Sequence, residues 1–210
     1  GVAGRVLSTA GAIEISSANF TTDGVVGYGL SSTQSVKAPT LIQSPLSVSV
    51  TAVIAVNLLP DAEIVGRGSS GVGSVSITGG TATLSGKVRA GATAAVSTSG
   101  DLTLDGIVIA GTAFNATAGT AGAGDITVTG FADLQSSGTL SIVAGSTAGD
   151  ITSIGSYLVT GQASFTAAAG VLTHEEGLEI SAGSVRARAK NITLSSVRSP
   201  GIDEIGRAHV

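Results

Sequence analysis

The sequence predicts an all-β protein that forms a parallel β-helix, a solenoid with coils of about 24 residues. The first observation is a repeat: Gly124–Gly130 has close copies at Gly100–Gly106 and Gly149–Thr152, twenty-four and twenty-five positions away. The second is that apolar and polar residues alternate after the glycine in each copy, which indicates one short strand. The third is composition, since 31 glycines separate segments rich in Ser, Thr, Ala and Val. Together these features are typical of a solenoid.

Composition excludes several classes of function. With no cysteine in 210 residues, the chain has no thiol nucleophile, cysteine-ligated metal or disulfide. The net charge is −4 and only 11% of the residues are charged, so there is no basic surface for nucleic acid. Aromatic residues make up 3% of the chain, so side chains that stack on sugars in polysaccharide-degrading enzymes are scarce. We expect neither a cofactor nor enzymatic activity.

Residues 1–72 are predicted to form irregular coils of the same solenoid. Ala12–Ser17 and Asn19–Thr22 have strand patterns, whereas Asp61–Ser70 is interpreted as a polar connection. No charged residue occurs at positions 38–60, which raises the alternative of a membrane span. Apolar residues there alternate with Ser and Thr, which indicates a strand, because a spanning helix is apolar on every face. We therefore expect no membrane span.

Residues 73–199 are predicted to form regular coils of three strands each, turned by glycine. Looser copies of the first motif begin at Gly11, Gly73 and Gly177. A second motif, G-x-A-x-[L/F], begins at Gly80, Gly130 and Gly161, and we expect its copies to be equivalent in the structure.

The first motif also predicts which residues stack. Its glycines and aspartates should occupy equivalent corners of successive coils; they are Gly100, Asp101, Gly124, Asp125, Gly149 and Asp150. Ile126 and Val128 should point inward and Thr127 outward. A column of carboxylates could form a calcium-binding edge. We favour turn chemistry instead, in which aspartate bonds the local backbone, because the glycine-rich nonapeptide of calcium β-rolls is absent.

His174–Glu176 is the densest polar cluster. One histidine and two adjacent carboxylates on alternating faces do not make a metal site or an acid–base site. We interpret the cluster as an exposed loop that interrupts the coil rhythm, because the spacing from Gly149 to Gly177 is longer than that between other copies.

Three cations alternate with small apolar residues near the end of the regular coils. Arg186, Arg188 and Lys190 should lie on one face of a strand, with Val185 on the other. They are a candidate surface for an acidic or sulfated glycan. The interpretation that we favour is a solvated outer face.

The G-D-[I/L]-T strands followed by G-x-A-x-[L/F] segments resemble filamentous-haemagglutinin-type exoproteins of bacteria, and the autotransporter adhesins similar to them. The resemblance is best over residues 73–197. It implies a right-handed β-helix shaft of a secreted or surface-anchored adhesin. It also implies export through an outer-membrane transporter and adhesion to host or environmental surface glycans or proteins. The alternative is a fragment of a carbohydrate-active β-helix enzyme, a polysaccharide lyase or hydrolase, which needs acids and bases clustered in a groove.

The sequence also supports predictions about the two ends of the chain. The chain begins at Gly1 with neither a methionine nor a signal peptide, so we expect residues upstream. We expect residues 200–210 to be a non-native or disordered tail, because Ile205–Val210 can be encoded by ATC GGA AGA GCA CAC GTC. That DNA resembles a common short-read sequencing adapter, so positions 204–210 are expected to carry no function.

Overall fold

The computed structural model describes residues 5–8, 10–22, 41–67, 72–175 and 179–209. These residues form nineteen β-strands, and the pairings between the strands are parallel. The part of the chain so described contains no helix long and apolar enough to cross a membrane. The strands follow a three-sided path in which each coil stacks on the coil before it. The prediction of a parallel β-helix is therefore confirmed.

The first face consists of short strands, each of which pairs with the equivalent strand one coil away. Its strands are β1 (Arg5–Leu7), β3 (Leu41–Ser44), β5 (Glu63–Gly66), β7 (Lys87–Ala90), β10 (Ile107–Ala110), β13 (Asp133–Ser136), the beginnings of β16 (Ser156–His174) and β17 (Ile180–Leu194), and β18 (Val197–Arg198). The interpretation of Asp61–Ser70 as a polar connection was wrong, because β5 lies within it and buries Ile64.

The second and third faces share several long strands that bend at the corner between them. These are β2 (Ile13–Thr21), β4 (Ser47–Leu58), β6 (Ser74–Leu84), β16, β17 and β19 (Ile202–His209). Other coils have separate strands, which are β8 (Thr93–Thr98), β11 (Ala113–Thr117) and β14 (Thr139–Val143) on the second face, and β9 (Leu102–Leu104), β12 (Ile126–Val128) and β15 (Ile151–Ser153) on the third.

The core is a column of apolar side chains that runs inside the coils from Ile13 to Leu194. Alternate residues of every face point into it, because successive side chains of a strand point to opposite sides. In β12, Ile126 and Val128 are buried and Thr127 is exposed, as predicted.

Coil length varies around the predicted value. Val88 pairs with Val108, twenty positions later, whereas Val108 pairs with Leu134, twenty-six positions later. The strands that carry these residues are all four residues long. The strands of the second and third faces differ by at most one residue between these two coils, so the difference in length lies mainly in the corners.

The copies of the second motif are not equivalent, contrary to the prediction. The copy with Ala82 lies on the third face, the copy with Leu134 on the first and the copy with Ala163 on the second. Every face buries alternate residues that follow a small residue at a corner, so the same local pattern suits all three faces.

The looser copies of the first motif are also distributed over the other faces. Those that begin at Gly11 and Gly73 lie on the second face, beside β4. The copy that begins at Gly177 continues into the first face, where Ile180 pairs with Tyr157, and Gly177 itself lies outside the described residues. Among the copies of the first motif, only the close ones lie on the third face.

Within residues 200–210 the structure places β19, whose backbone pairs with β17. The non-native origin of positions 204–210 stays a prediction, as does the division of the chain between residues 72 and 73.

Candidate functional site

The glycines of the first motif stack at the corner between the second and third faces. Leu102 pairs with Ile126, and Ile126 with Ile151, so the glycines two positions earlier are equivalent, as predicted. A Cβ atom on Gly124 would lie 2.6 Å from the carbonyl oxygen of Gly100, and one on Gly149 would collide with that of Gly124. Glycine is needed here because successive coils approach too closely for a side chain.

The aspartates of the motif form a hydrogen-bonded column beside these glycines. Oδ1 of Asp101 accepts the backbone N–H of Asp125 at 3.0 Å, and Oδ1 of Asp125 accepts that of Asp150 at 2.8 Å. Oδ1 of Asp150 in turn accepts the N–H of Val171 at 2.7 Å. The predicted equivalence is confirmed, but the predicted partner was wrong, because each carboxylate bonds the next coil and not its local backbone.

The use of a carboxylate as acceptor has a local cause. The carbonyl oxygen of Gly100, one residue before Asp101, accepts the N–H of Gly119 at 3.0 Å, and that of Gly124 accepts the N–H of Gly145 at 2.9 Å. These carbonyls are engaged by the corner loops, so the aspartate side chains provide the acceptors for the N–H groups above them.

A threonine ladder on the third face was not named from the sequence. Each threonine follows an inward residue and pairs with the next along the outer surface. Its members are Thr83, Thr103, Thr127, Thr152, Thr173 and Thr193. The signal in the sequence was the threonine at the fourth position of G-D-[I/L]-T. Alignment of all the third-face strands in register would have added the remaining threonines of the ladder. The ladder presents hydroxyl and methyl groups at the strand spacing of about 4.8 Å.

The basic residues predicted to lie on one strand face are exposed. Arg186 pairs with Ser164 and Arg188 with Thr166 on the second face, and Lys190 follows at the corner. The intervening alanines are buried. The outward orientation is confirmed, and contact with an acidic glycan stays a prediction.

The interpretation of His174 as part of an exposed loop was wrong. His174 is the last residue of β16 and is 1% exposed, because it continues the inward alternation of Leu172. Its Nδ1 lies 3.1 Å from Oγ of Ser153, which is 2.6 Å from the hydroxyl of Tyr157. Glu175 is exposed beyond the strand, and Glu176 lies outside the described residues.

This buried polar cluster of Ser153, Tyr157 and His174 is closed to solvent. The ring of Tyr157 packs edge-on against Phe165, with centroids 5.3 Å apart. Burial raises the pKa of the Tyr157 phenol, and the hydrogen bond with Ser153 partly opposes that effect. The cluster can satisfy its own polar groups in the core, but it has no surface for a substrate.

The motif residues therefore form rows along the solenoid and do not converge on one point. Among the residues with described positions, no three histidine or carboxylate side chains come together to hold a metal ion. Comparisons with protein-family models, with curated proteins and with solved structures find no match for this chain.

Proposed function

We propose that this chain is a shaft segment of a large secreted or surface-anchored bacterial adhesin of the filamentous-haemagglutinin type. The observation that carries the proposal is the unbroken stacking of equivalent residues, such as Leu102, Ile126 and Ile151, in neighbouring parallel strands. Each coil is held to both neighbours by backbone hydrogen bonds, and such an array grows in one dimension. A rod of this kind suits the display of binding surfaces away from a cell.

The composition supports the same proposal. A chain with no cysteine forms no disulfide, so it can be exported unfolded through an outer-membrane transporter and fold outside the cell. Parallel coils form the same pairings one after another, which allows folding to propagate along the rod. The outer rows can then differ from coil to coil and contact surface glycans or proteins, while the core stays the same.

Surface labelling tests the proposal. Antibodies raised against this chain should label unpermeabilised cells of the source bacterium, and disruption of its gene should reduce adhesion to the surface that the cells colonise. Complementation with the full reading frame should restore both. Labelling only after permeabilisation, or unchanged adhesion of the disrupted strain, would contradict the proposal.

A further inference from the structure

The corner between the third and first faces has an uneven profile. Two coils cross it with only two residues, Ser85–Gly86 and Asp105–Gly106, between their strands. The flanking coils use four residues each, and both form a turn closed by a backbone hydrogen bond. In Leu59–Ala62 the N–H of the last residue donates to the carbonyl of the first at 2.9 Å, and in Thr129–Ala132 at 3.1 Å. Two short corners between two projecting turns leave a depression, which we name the corner notch.

Glycine backbone forms the floor of the corner notch. A Cβ atom on Gly106 would collide with the carbonyl oxygen of Gly86, so these two coils are in close backbone contact. The carbonyl of Gly86 accepts the N–H of Ile107 at 3.1 Å, and that of Gly106 accepts the N–H of Asp133 at 3.1 Å. The floor is therefore rigid, and its carbonyl groups are already paired.

The walls are apolar. Pro60 stands on one turn and Phe131 on the other, and their coils are three strand spacings apart, about 14 Å. The notch has a volume of about 370 Å³, which lies in the range of small-molecule sites. Phe131 is 84% exposed, although burial of an aromatic ring is favourable. The solenoid itself provides no cover for this ring.

Polar side chains line the space between the walls. Asp105 accepts a hydrogen bond from the hydroxyl of Thr129 on Oδ1, and no other group in the described part of the chain donates to its carboxylate. The Lys87 side chain is exposed and the Ser85 hydroxyl is half-buried, and neither bonds another side chain among the described residues. The notch therefore offers an acceptor, a donor and a hydroxyl beside an aromatic ring.

We propose that the corner notch binds a neutral saccharide. The C–H face of a sugar ring would pack against the ring of Phe131, while its hydroxyl groups would donate to Oδ2 of Asp105 and accept from Lys87. An extended peptide fits less well, because the backbone carbonyls of the floor are already paired and cannot extend a sheet.

The local charge indicates a neutral ligand. The carboxylates of Asp61, Glu63 and Asp105 outnumber the cations of Lys87 and Arg89 around the notch. Glu63 is already paired with Arg89, whose Nε lies 3.0 Å from its Oε1. An acidic glycan would therefore meet net repulsion. This binding does not depend on the adhesin proposal, because it concerns the isolated chain and needs no cellular location.

Binding is tested with the full chain and neutral oligosaccharides built from glucose, galactose, mannose or xylose. Saturation-transfer NMR should detect at least one of them, and calorimetry should give its affinity. We expect Phe131→Ala to weaken binding at least tenfold, and Asp105→Asn to weaken it severalfold. Val53→Ala is the matched control, because Val53 is a 78% exposed apolar residue at a different corner. It should leave the affinity unchanged.

Three results would overturn the proposal: no neutral oligosaccharide binds, Phe131→Ala binds as well as the parent chain, or acidic oligosaccharides bind more tightly than neutral ones and lose that affinity in Phe131→Ala. Unfolding curves confirm that each variant is folded. Phe131 is so exposed that its truncation should leave the fold intact, and Asp105→Asn keeps the shape of the side chain.

Discussion

Asp150 donates its backbone N–H to Oδ1 of Asp125 at 2.8 Å, although the two residues belong to different coils. In a parallel sheet the acceptor would ordinarily be a backbone carbonyl of the neighbouring strand. Here the carbonyl of Gly124 is engaged by Gly145, and a side chain takes its place. The aspartate column thus continues the hydrogen bonding of the sheet around a corner where backbone pairing is interrupted.

We expect Asp125→Ala to lower the free energy of unfolding by about 0.5–1.5 kcal/mol, because the N–H of Asp150 loses its acceptor. Asp125→Asn retains a carbonyl oxygen at the same position and should lose less. Urea unfolding followed by circular dichroism measures both. Asp61→Ala is the control, since Asp61 is exposed and its carboxylate bonds no described residue. Equal losses for the alanine and asparagine variants would contradict the role of the acceptor.

Gly149→Ala should destabilise the chain by about 1–3 kcal/mol, because its Cβ would collide with backbone atoms of Gly124 and Gly145 and the coils would have to separate. Gly130→Ala is the matched control, since its Cβ would lie 3.6 Å from Cδ1 of Ile154, an ordinary contact. That variant should be neutral or gain up to about 1 kcal/mol from reduced freedom of the unfolded chain. Thermal unfolding distinguishes them, and similar midpoints would disprove close stacking at Gly149.

The sequence predicted the third face well because its repeat is tied to a chemical requirement. Glycine is needed where coils touch, aspartate provides the acceptor beside it, and the inward residues that follow must fill the core. Gly100, Gly124 and Gly149 therefore recur at nearly equal spacing. Other corners also need glycine where coils touch, as at Gly86 and Gly106, but no G-D-[I/L]-T pattern accompanies them, so the strands of the other faces show only alternation, which is the same on every face.

The buried polar cluster and the corner notch could not be predicted, because each depends on residues that are far apart in the sequence. The alternation with Leu172 indicates that His174 points inward. Its neighbours, however, come from the preceding coil (Ser153) and from the start of its own coil (Tyr157). The corner notch depends on the lengths of four successive corners, which are defined only once the register of the strands is known. Residue types alone do not show that Phe131 and Pro60 stand on opposite walls.

We expect no depolymerase activity on pectin, alginate or hyaluronan-type substrates. The histidine of the His174–Glu176 cluster points into the core, whereas Glu175 is exposed, so the two cannot act together on one substrate. Release of unsaturated or reducing ends is the measurement, with heat-denatured chain as the control. Reproducible turnover that is lost in Glu175→Ala or Glu176→Ala would instead support the enzymatic alternative.

The stability of the chain should fall in alkali because of Tyr157. Burial raises the pKa of this phenol above its ordinary value of about 10. Above about pH 10 the unfolded chain releases the proton while the folded chain retains it, so the unfolded state binds fewer protons. The contribution of the Tyr157 phenol to the free energy of unfolding is complete below that pH. It decreases as the pH rises further, by up to about 1.4 kcal/mol per pH unit.

Tyr157→Phe tests this dependence. The variant should lose about 1 kcal/mol at neutral pH, because the Ser153 hydroxyl loses one hydrogen-bond partner, but its stability should fall less between about pH 9 and pH 11. Ser153→Ala is the control, since it also breaks the hydrogen bond but leaves the phenol in the core. The Ser153→Ala variant should still lose stability as the pH rises through this range. Free energies of unfolding from urea titrations across this range give the slopes. If Tyr157→Phe and the parent chain lose stability equally, the phenol must ionise as readily in the folded state as in the unfolded one.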